Sequence, residues 1–375
     1  MAQSRRAVIY AVGDVAPDRP DPREGFALVR DRIREADIAF CQLEVNLTER
    51  GERLPQARHT VRGDPAIAGA IKDAGFNVVS FAGNHCMDWG QQGFFDTLDN
   101  LRSADLGVVG VGANIDEARK PLFVEANGVK VAFLAYSSIL PQCYWAEERR
   151  PGCAPMRAHT VYEQVEHDQP GTPARIHTFP HDGDLAALLS DIRQAKANAD
   201  IVAVSLHWGI HFVEATIADY QTLVAHAAID AGADLILGHH AHILKGVEVY
   251  KGVPILYSLC NFAVDLRMDE AHANSKSFRE IQTLNPNWIP DFDSLYNFPT
   301  DSRMTLVAKA VVEDGRVAHF ALLPAFINRD AQPEILGAGD PRFEQVRAYL
   351  EKITVAAGFD TRFEVVGDEL LPHAG

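Results

Sequence analysis

Several things are scarce in this 375-residue chain, and each scarcity closes a class of explanation. Its five cysteines, Cys41, Cys86, Cys143, Cys153 and Cys260, form an odd and sparse set that does not suit the paired framework of a small secreted domain. Cys143 and Cys153 flank a loop bearing Pro and Gly and could pair; otherwise the cysteines are free thiols. The chain has no uncharged apolar run of about 18 residues, the length a membrane-spanning helix requires. The opening Met-Ala-Gln-Ser-Arg-Arg leads straight into Ala7–Val12 without the apolar core of a secretion signal. A cytoplasmic protein with no membrane anchor is therefore expected. Positive charge is also in deficit. Thirty-five Lys plus Arg stand against 51 Asp plus Glu, and the net charge of −16 repels nucleic acid at long range, so no nucleic-acid partner is expected. Internal repeats and low-complexity tracts are absent, and 47% hydrophobic residues supply ample material for a core.

What is present is an alternation of short β-rich runs with amphipathic helices. Ala7–Val12, Ile38–Gln42, Val78–Phe81, Val129–Tyr136, Ile201–Leu206, Leu235–Leu237, Val247–Tyr250 and Ile255–Ser258 read as strands. Phe26–Ala36, Ala66–Ala74, Gly93–Ala104, Leu185–Ala197 and Ile217–Ala231 carry apolar residues at i, i+3, i+4 spacing and read as helices. This rhythm predicts a mainly parallel α/β sheet. Met304–Val312 and Arg316–Leu323 flank Glu-Asp-Gly, a hairpin signal, and are expected to close a second sheet; a helix over Pro341–Val355 follows. Residues 141–183 and 267–302 break the rhythm, the latter mixing polar residues with Phe278, Trp288, Phe292, Tyr296 and Phe298.

Nearly every strand candidate runs into a side chain able to bind a metal or move a proton. Asp14, Glu44, Asn84 with His85, His207, and His239, His240 and His242 each follow an apolar run. Ligands of open α/β sheets bind outside the carboxyl ends of the strands, so these side chains can converge on one cleft. Taken singly, each has a plainer use, as a turn residue, an N-cap or a satisfied core histidine. Gly238-His239-His240-Ala241-His242 differs, because three imidazoles after an apolar strand are costly to bury unless they bind something. Two carboxylates, an amide and several imidazoles form a mixed O/N ligand set suited to Mn, Fe or Zn, and one or two divalent ions are expected.

Gly13-Asp14-Val15, Leu43-Glu44, the run Gly83-Asn84-His85-Cys86-Met87-Asp88-Trp89-Gly90, His207-Trp208-Gly209, the Gly238–His242 cluster and Tyr257-Ser258-Leu259-Cys260-Asn261-Phe262 together resemble the CapA, or poly-gamma-glutamate capsule biosynthesis, family. That family is similar to the calcineurin-like metallophosphatases. The resemblance implies a four-layer αββα sandwich of two mixed sheets with a binuclear centre at the strand ends. It implies one domain over residues 1–330, with insertions at about 141–183 and 267–302, and a C-terminal helical extension over 331–375. It places Asp14 and His242 on one metal, Asn84, His207 and His240 on the other, and Glu44 between them. His85 stands beside the centre for proton transfer, with Asp88 either orienting it or capping the next helix. The Asp-x-His opening of the phosphatases is here Asp14-Val15-Ala16, which removes a ligand from the first site.

The resulting expectation is a metal-dependent hydrolase in which a metal-activated water attacks an amide, ester or phosphoester of a small-molecule or peptide-like substrate. Arg62, His211 and Asn261 are its candidate substrate contacts. A metal-dependent epimerase, with His85 and His239 or His211 as acid and base, and a non-catalytic polymer-binding assembly factor are the alternatives. Residues 267–302 are expected to overhang the cleft as a substrate-covering flap.

Overall fold

A computed structural model describes residues 5–58 and 60–375 of the chain. Its strands and helices are labelled here in chain order. Strands β1 (Arg6–Ala16), β2 (Ile38–Leu43), β3 (Val78–Ser80) and β4 (Gly107–Val109) lie side by side in parallel, with helices α1 (Ala66–Ala74) and α2 (Gly90–Ser103) as crossovers. A second parallel set consists of β5 (Val129–Ser137), β6 (Ile201–His207), β7 (Leu235–His239) and β8 (Val253–Leu256), linked in part by α3 (Asp182–Lys196) and α4 (Asp219–Ala231). The two sets belong to a ten-stranded and a six-stranded sheet. Both sheets are mixed, because antiparallel strands are added at their sides.

Side-chain alternation explains why the sheets stack. Along β5, Val129, Val131, Phe133 and Ala135 face a core shared with β1, β2 and β3, whereas Ala132, Leu134 and Tyr136 face a second core built with Leu188 and Ile192 of α3 and Val224 and Ala228 of α4. Ile201 and Ala203 of β6 and Leu235 and Leu237 of β7 join the inter-sheet core. Ile67 and Ile71 of α1 and Phe94 and Leu98 of α2 cover the larger sheet. Helices therefore flank two stacked sheets, and the parallel strands of both deliver their carboxyl ends to one side.

Three elements depart from the sequence expectations. The hairpin of β10 (Met304–Glu313) and β11 (Arg316–Ile327) pairs onto β1 itself, so it extends the first sheet and does not close the second. The C-terminal extension is not purely helical. After α6 (Pro341–Ala356) it forms a hairpin, β12 (Arg362–Val366) and β13 (Glu369–His373), which joins the same sheet through β11. The expected helix over Phe26–Ala36 is reduced to a 3-10 turn at Pro22–Phe26 and a single helical turn at Arg30–Ile33, which still bury Phe26, Val29 and Ile33. Of the two insertions, 141–183 contains an antiparallel ribbon, Ala158–Glu163 with Arg175–Pro180, and 267–302 contains the helix α5 (Lys276–Gln282). All five cysteines are free, so Cys143 and Cys153 do not pair. Among the described residues, no helix is long and apolar enough to cross a membrane.

Candidate metal centre

The site begins where β1 changes neighbours. Its first half pairs with β10, while its last residues leave that strand and run parallel to β9 (Asn261–Val264, a short strand after β8), with an irregularity at Asp14. Here the Asp14 amide donates to Cys260 O at 3.1 Å, and a Cβ on Gly13 would lie 1.9 Å from that same oxygen. Only glycine lets the two backbones approach this closely and turn Asp14 into the inter-sheet space. Gly238 does the same work at the end of β7, where a Cβ would meet Tyr257 O at 2.2 Å. Beyond it, His240 and His242 adopt positive φ of 88° and 53°. Non-glycine residues take this conformation at a cost of about 1 kcal/mol or more each, and such strain concentrates at functional sites.

These turns bring six predicted residues together. His207 Nε2 lies 2.6 Å from Asn84 Oδ1 and 3.3 Å from Glu44 Oε1. His242 Nε2 lies 3.7 Å from Glu44 Oε2, and His242 Nδ1 lies 3.7 Å from Asp14 Oδ2. Two groups of potential ligand atoms result, Glu44 with His207 and His240, and Asp14 with Glu44 and His242, each with its donor atoms within 4.8 Å of one another. Glu44 belongs to both.

The chemistry of these groups fits a divalent cation. Asp14 Oδ1, Glu44 Oε1 and His240 Nδ1 are buried without a hydrogen-bond partner, an expensive arrangement for polar atoms unless a ligand takes their lone pairs. Burial holds the imidazoles of His207 and His240 well below the usual histidine range, reinforced by neighbouring imidazoles, so both present neutral nitrogens. The same burial, together with Asp14 and Asp88, drives the Glu44 carboxyl well above its usual range, a cost that a bound cation would reverse.

Support for these ligands comes from side chains further out. Nδ1 of His242 donates to Asn261 Oδ1 at 2.7 Å, and Asn261 Nδ2 donates in turn to the Tyr296 hydroxyl at 2.8 Å, which donates to Ser302 O at 2.7 Å. This chain fixes the His242 tautomer and leaves Nε2 for a metal. Beside the centre, His85 Nδ1 donates to Asp88 Oδ2 at 2.7 Å, and the Tyr144 hydroxyl donates to Asp88 Oδ1 at 2.8 Å. Asp88 therefore orients a histidine and does not cap a helix; the helix that follows has no side-chain cap at Trp89. Tyr144 has no signal in the sequence, since it stands in the irregular 141–183 segment.

A cavity of about 590 Å³ opens onto Glu44, Asn84, His85, His211, His240 and His242, with Ala16 on its wall. Three predicted residues lie elsewhere. Arg62 places its guanidinium 3.8 Å over the Trp89 ring and donates to Glu49 O and Gly51 O, so it clasps a loop and does not line the cavity. Asn261 is fully buried behind His242, where it supports a ligand and cannot meet substrate. His239 is also fully buried, with Nδ1 3.3 Å from Asp14 Oδ1 and its ring against Phe40, away from the cavity. His211 does reach the cavity, its ring centroid 3.9 Å from that of His240. The loop carrying it is tethered by buried Lys245, whose ammonium donates to Val213 O and to Thr216 O.

The family described as bacterial capsule synthesis protein PGA_cap matches residues 8–266, a span that contains every one of these potential ligands. The chain belongs to that family. Among PGA_cap relatives, it is 35% identical over 196 residues to the PGA biosynthesis protein CapA of Bacillus subtilis (strain 168), covering 52% of this chain and 44% of that protein. It is 32% identical over 245 residues to a probable polyglutamine synthesis accessory protein of Mycobacterium tuberculosis (strain ATCC 25618 / H37Rv), covering 64% and 59% respectively. The chain thus spans about half the length of these relatives. The calcineurin-like phosphoesterase YfkN from Bacillus subtilis aligns with 95% of this PGA_cap chain and 98% of its own at 14% identity, with a TM-score of 0.40.

Proposed function

We propose that the chain is a divalent-metal-dependent hydrolase acting on a small-molecule or peptide-like amide, ester or phosphoester. The observation that carries this reading is the position of Glu44, common to two clusters of ligand atoms, with a histidine–carboxylate pair beside them. Asp14, Glu44 and His242 would hold one ion, and Glu44, Asn84, His207 and His240 a second. An ion there supplies Lewis acidity and an acidified water, and a pair of ions also clamps attacking and leaving groups.

The chain's own residues do the rest. Asp88 accepts from His85 Nδ1 and so leaves Nε2 to exchange a proton with a leaving group in the cavity. Tyr144 holds the other oxygen of Asp88, which stops the carboxylate from rotating away. His211, whose ring lies over His240, also lines the cavity and would meet the developing charge. Epimerisation would need two groups delivering protons from opposite faces. The burial of His239 leaves His85 and His211 as the pair available for it.

The test is a screen of phosphoester, carboxylic ester and amide substrates, using protein stripped by chelator and reloaded separately with Mn, Fe(II) and Zn. The expected result is turnover of one bond type that depends on metal and falls at least a hundredfold in His85→Gln. Metal-independent turnover, or none with any ion, would reject the reading.

A further inference from the structure

One wall of the cavity belongs to the 267–302 segment and its neighbours, and its chemistry is unlike that of the metal ligands it adjoins. Phe212, Phe278, Ile281, Leu284, Trp288 and Phe298 line it. They form a continuous aromatic path that starts on a potential metal ligand. Ring centroids of Phe298 and Phe212 lie 5.2 and 5.6 Å from that of His242, Trp288 lies 4.9 Å from Phe212, and Phe278 lies 5.0 Å from Trp288.

Phe278 and Trp288 are buried in a small core with Phe212 and Ile243, which makes this wall a packed surface. Its position is fixed at both ends. The neck closes through Leu266 and Tyr296, which pair as a bridge, and the root is held by the buried ion pair of Arg19 with Asp265. Ile281 and Phe298 are half-buried and Leu284 is exposed, so these three keep surface free toward the cavity.

Charge points the same way. Among the described residues, and apart from histidines, the cavity lining offers one basic side chain, Arg58, which is exposed, and the carboxylate of Glu280 also lines it, while Asp265 is paired with Arg19. A polymer bearing repeated carboxylates would find no matching row of cations there, on a chain whose net charge is already −16. A volume of about 590 Å³ matches a small organic molecule.

We propose that the site takes a substrate with a compact apolar group, aryl or branched alkyl, next to the bond presented to the metal centre, and that Phe212, Ile281, Leu284 and Phe298 select it. The inference rests on the metal-dependent hydrolase reading for the word substrate, but its test reads binding alone. Benzylphosphonate and methylphosphonate present the same metal-seeking head, and their dissociation constants are to be measured by calorimetry on the Zn-loaded protein.

Burial of a phenyl ring predicts roughly tenfold or greater preference for benzylphosphonate. An Ile281→Ala, Leu284→Ala double variant, at positions outside the buried core, should lose most of that preference and bind methylphosphonate as before. Equal affinity for the two phosphonates, absence of binding by either, a preference that survives the double variant, or tighter binding of tri-γ-glutamate than of benzylphosphonate would overturn the proposal. Aryl preference without turnover of any ester, amide or phosphoester would reject the hydrolase reading and leave this inference standing. Turnover without aryl preference would do the reverse.

Discussion

Asp88 accepts a hydrogen bond from His85 across one turn of chain, Nδ1 to Oδ2 at 2.7 Å, and His85 lines a cavity bounded by potential metal ligands. The second oxygen of Asp88 is held by Tyr144, whose hydroxyl is kept protonated because burial and the adjacent carboxylate push its ionisation upward. His85→Gln should therefore lower kcat by ~10²–10⁴-fold with metal content unchanged. Tyr144→Phe removes one charge-assisted hydrogen bond from Asp88, worth about 1.5–3 kcal/mol, and should lower kcat roughly tenfold or more with KM little altered. Steady-state kinetics beside metal analysis checks both. A Tyr144→Phe protein with full kcat would show that Asp88 needs no second anchor.

Lys245 gives the fold a pH dependence that can be isolated. Burial pushes its ammonium from an ordinary value of 10.5 down to about 8. Between those values the unfolded chain holds a proton that the folded chain has released, so stability rises with pH across the window and the penalty is fully present below about 8. Urea midpoints measured at pH 7.5 and pH 9.5 should show wild type gaining on the order of 1–3 kcal/mol at the higher pH. Lys245→Met should abolish most of that gain. It should also loosen the loop carrying His211 and Phe212, because Val213 O and Thr216 O lose their donor.

Ala16 lines the cavity close behind Asp14, at the position where the sequence departs from an Asp-x-His opening. If the first site lacks one ligand for this reason, Ala16→His should tighten the weaker of two metal-binding events by tenfold or more in a competition titration with a chelator, leaving the stronger one unchanged. An Ala16→His protein with both affinities unaltered would show that this wall does not face the ion.

Much of the site was legible because its residues stand at the ends of strands, where hydrophobic runs stop and the chain turns. Asp14, Glu44, Asn84, His207, His240 and His242 are all of this kind, and parallel topology forces such residues into one place. Tyr144, Tyr296 and Lys245 were not legible, because each is brought in by irregular chain whose path depends on tertiary contacts and has no period. Asn261 and Arg62 show the opposite error. Their chemistry suits a substrate, yet backbone placement turns Asn261 onto His242 and Arg62 onto Trp89.

The fold shows the same division. The βαβ rhythm predicts the two sheets, whereas the turn chemistry at Met304–Ile327 specifies a pair of strands and not the neighbour they join, which is β1. The C-terminal hairpin at Arg362–His373 carries little sequence signal, because its strands are short and mostly exposed and only Phe363 and Leu370 are committed to the core.

The central claim is that Glu44 joins two ligand clusters into one centre, and metal titration of Glu44→Gln tests it most directly. The substitution keeps the shape of the side chain and removes its charge. With protein stripped by chelator and titrated with Zn or Mn, wild type should bind with the involvement of both clusters. Glu44→Gln should lose affinity at every binding event, by at least tenfold each, while its melting behaviour in the stripped state is unchanged or improved, since burial already disfavours the charged carboxylate. Retention of wild-type stoichiometry and affinity in Glu44→Gln, or loss confined to one of two events, would contradict the account.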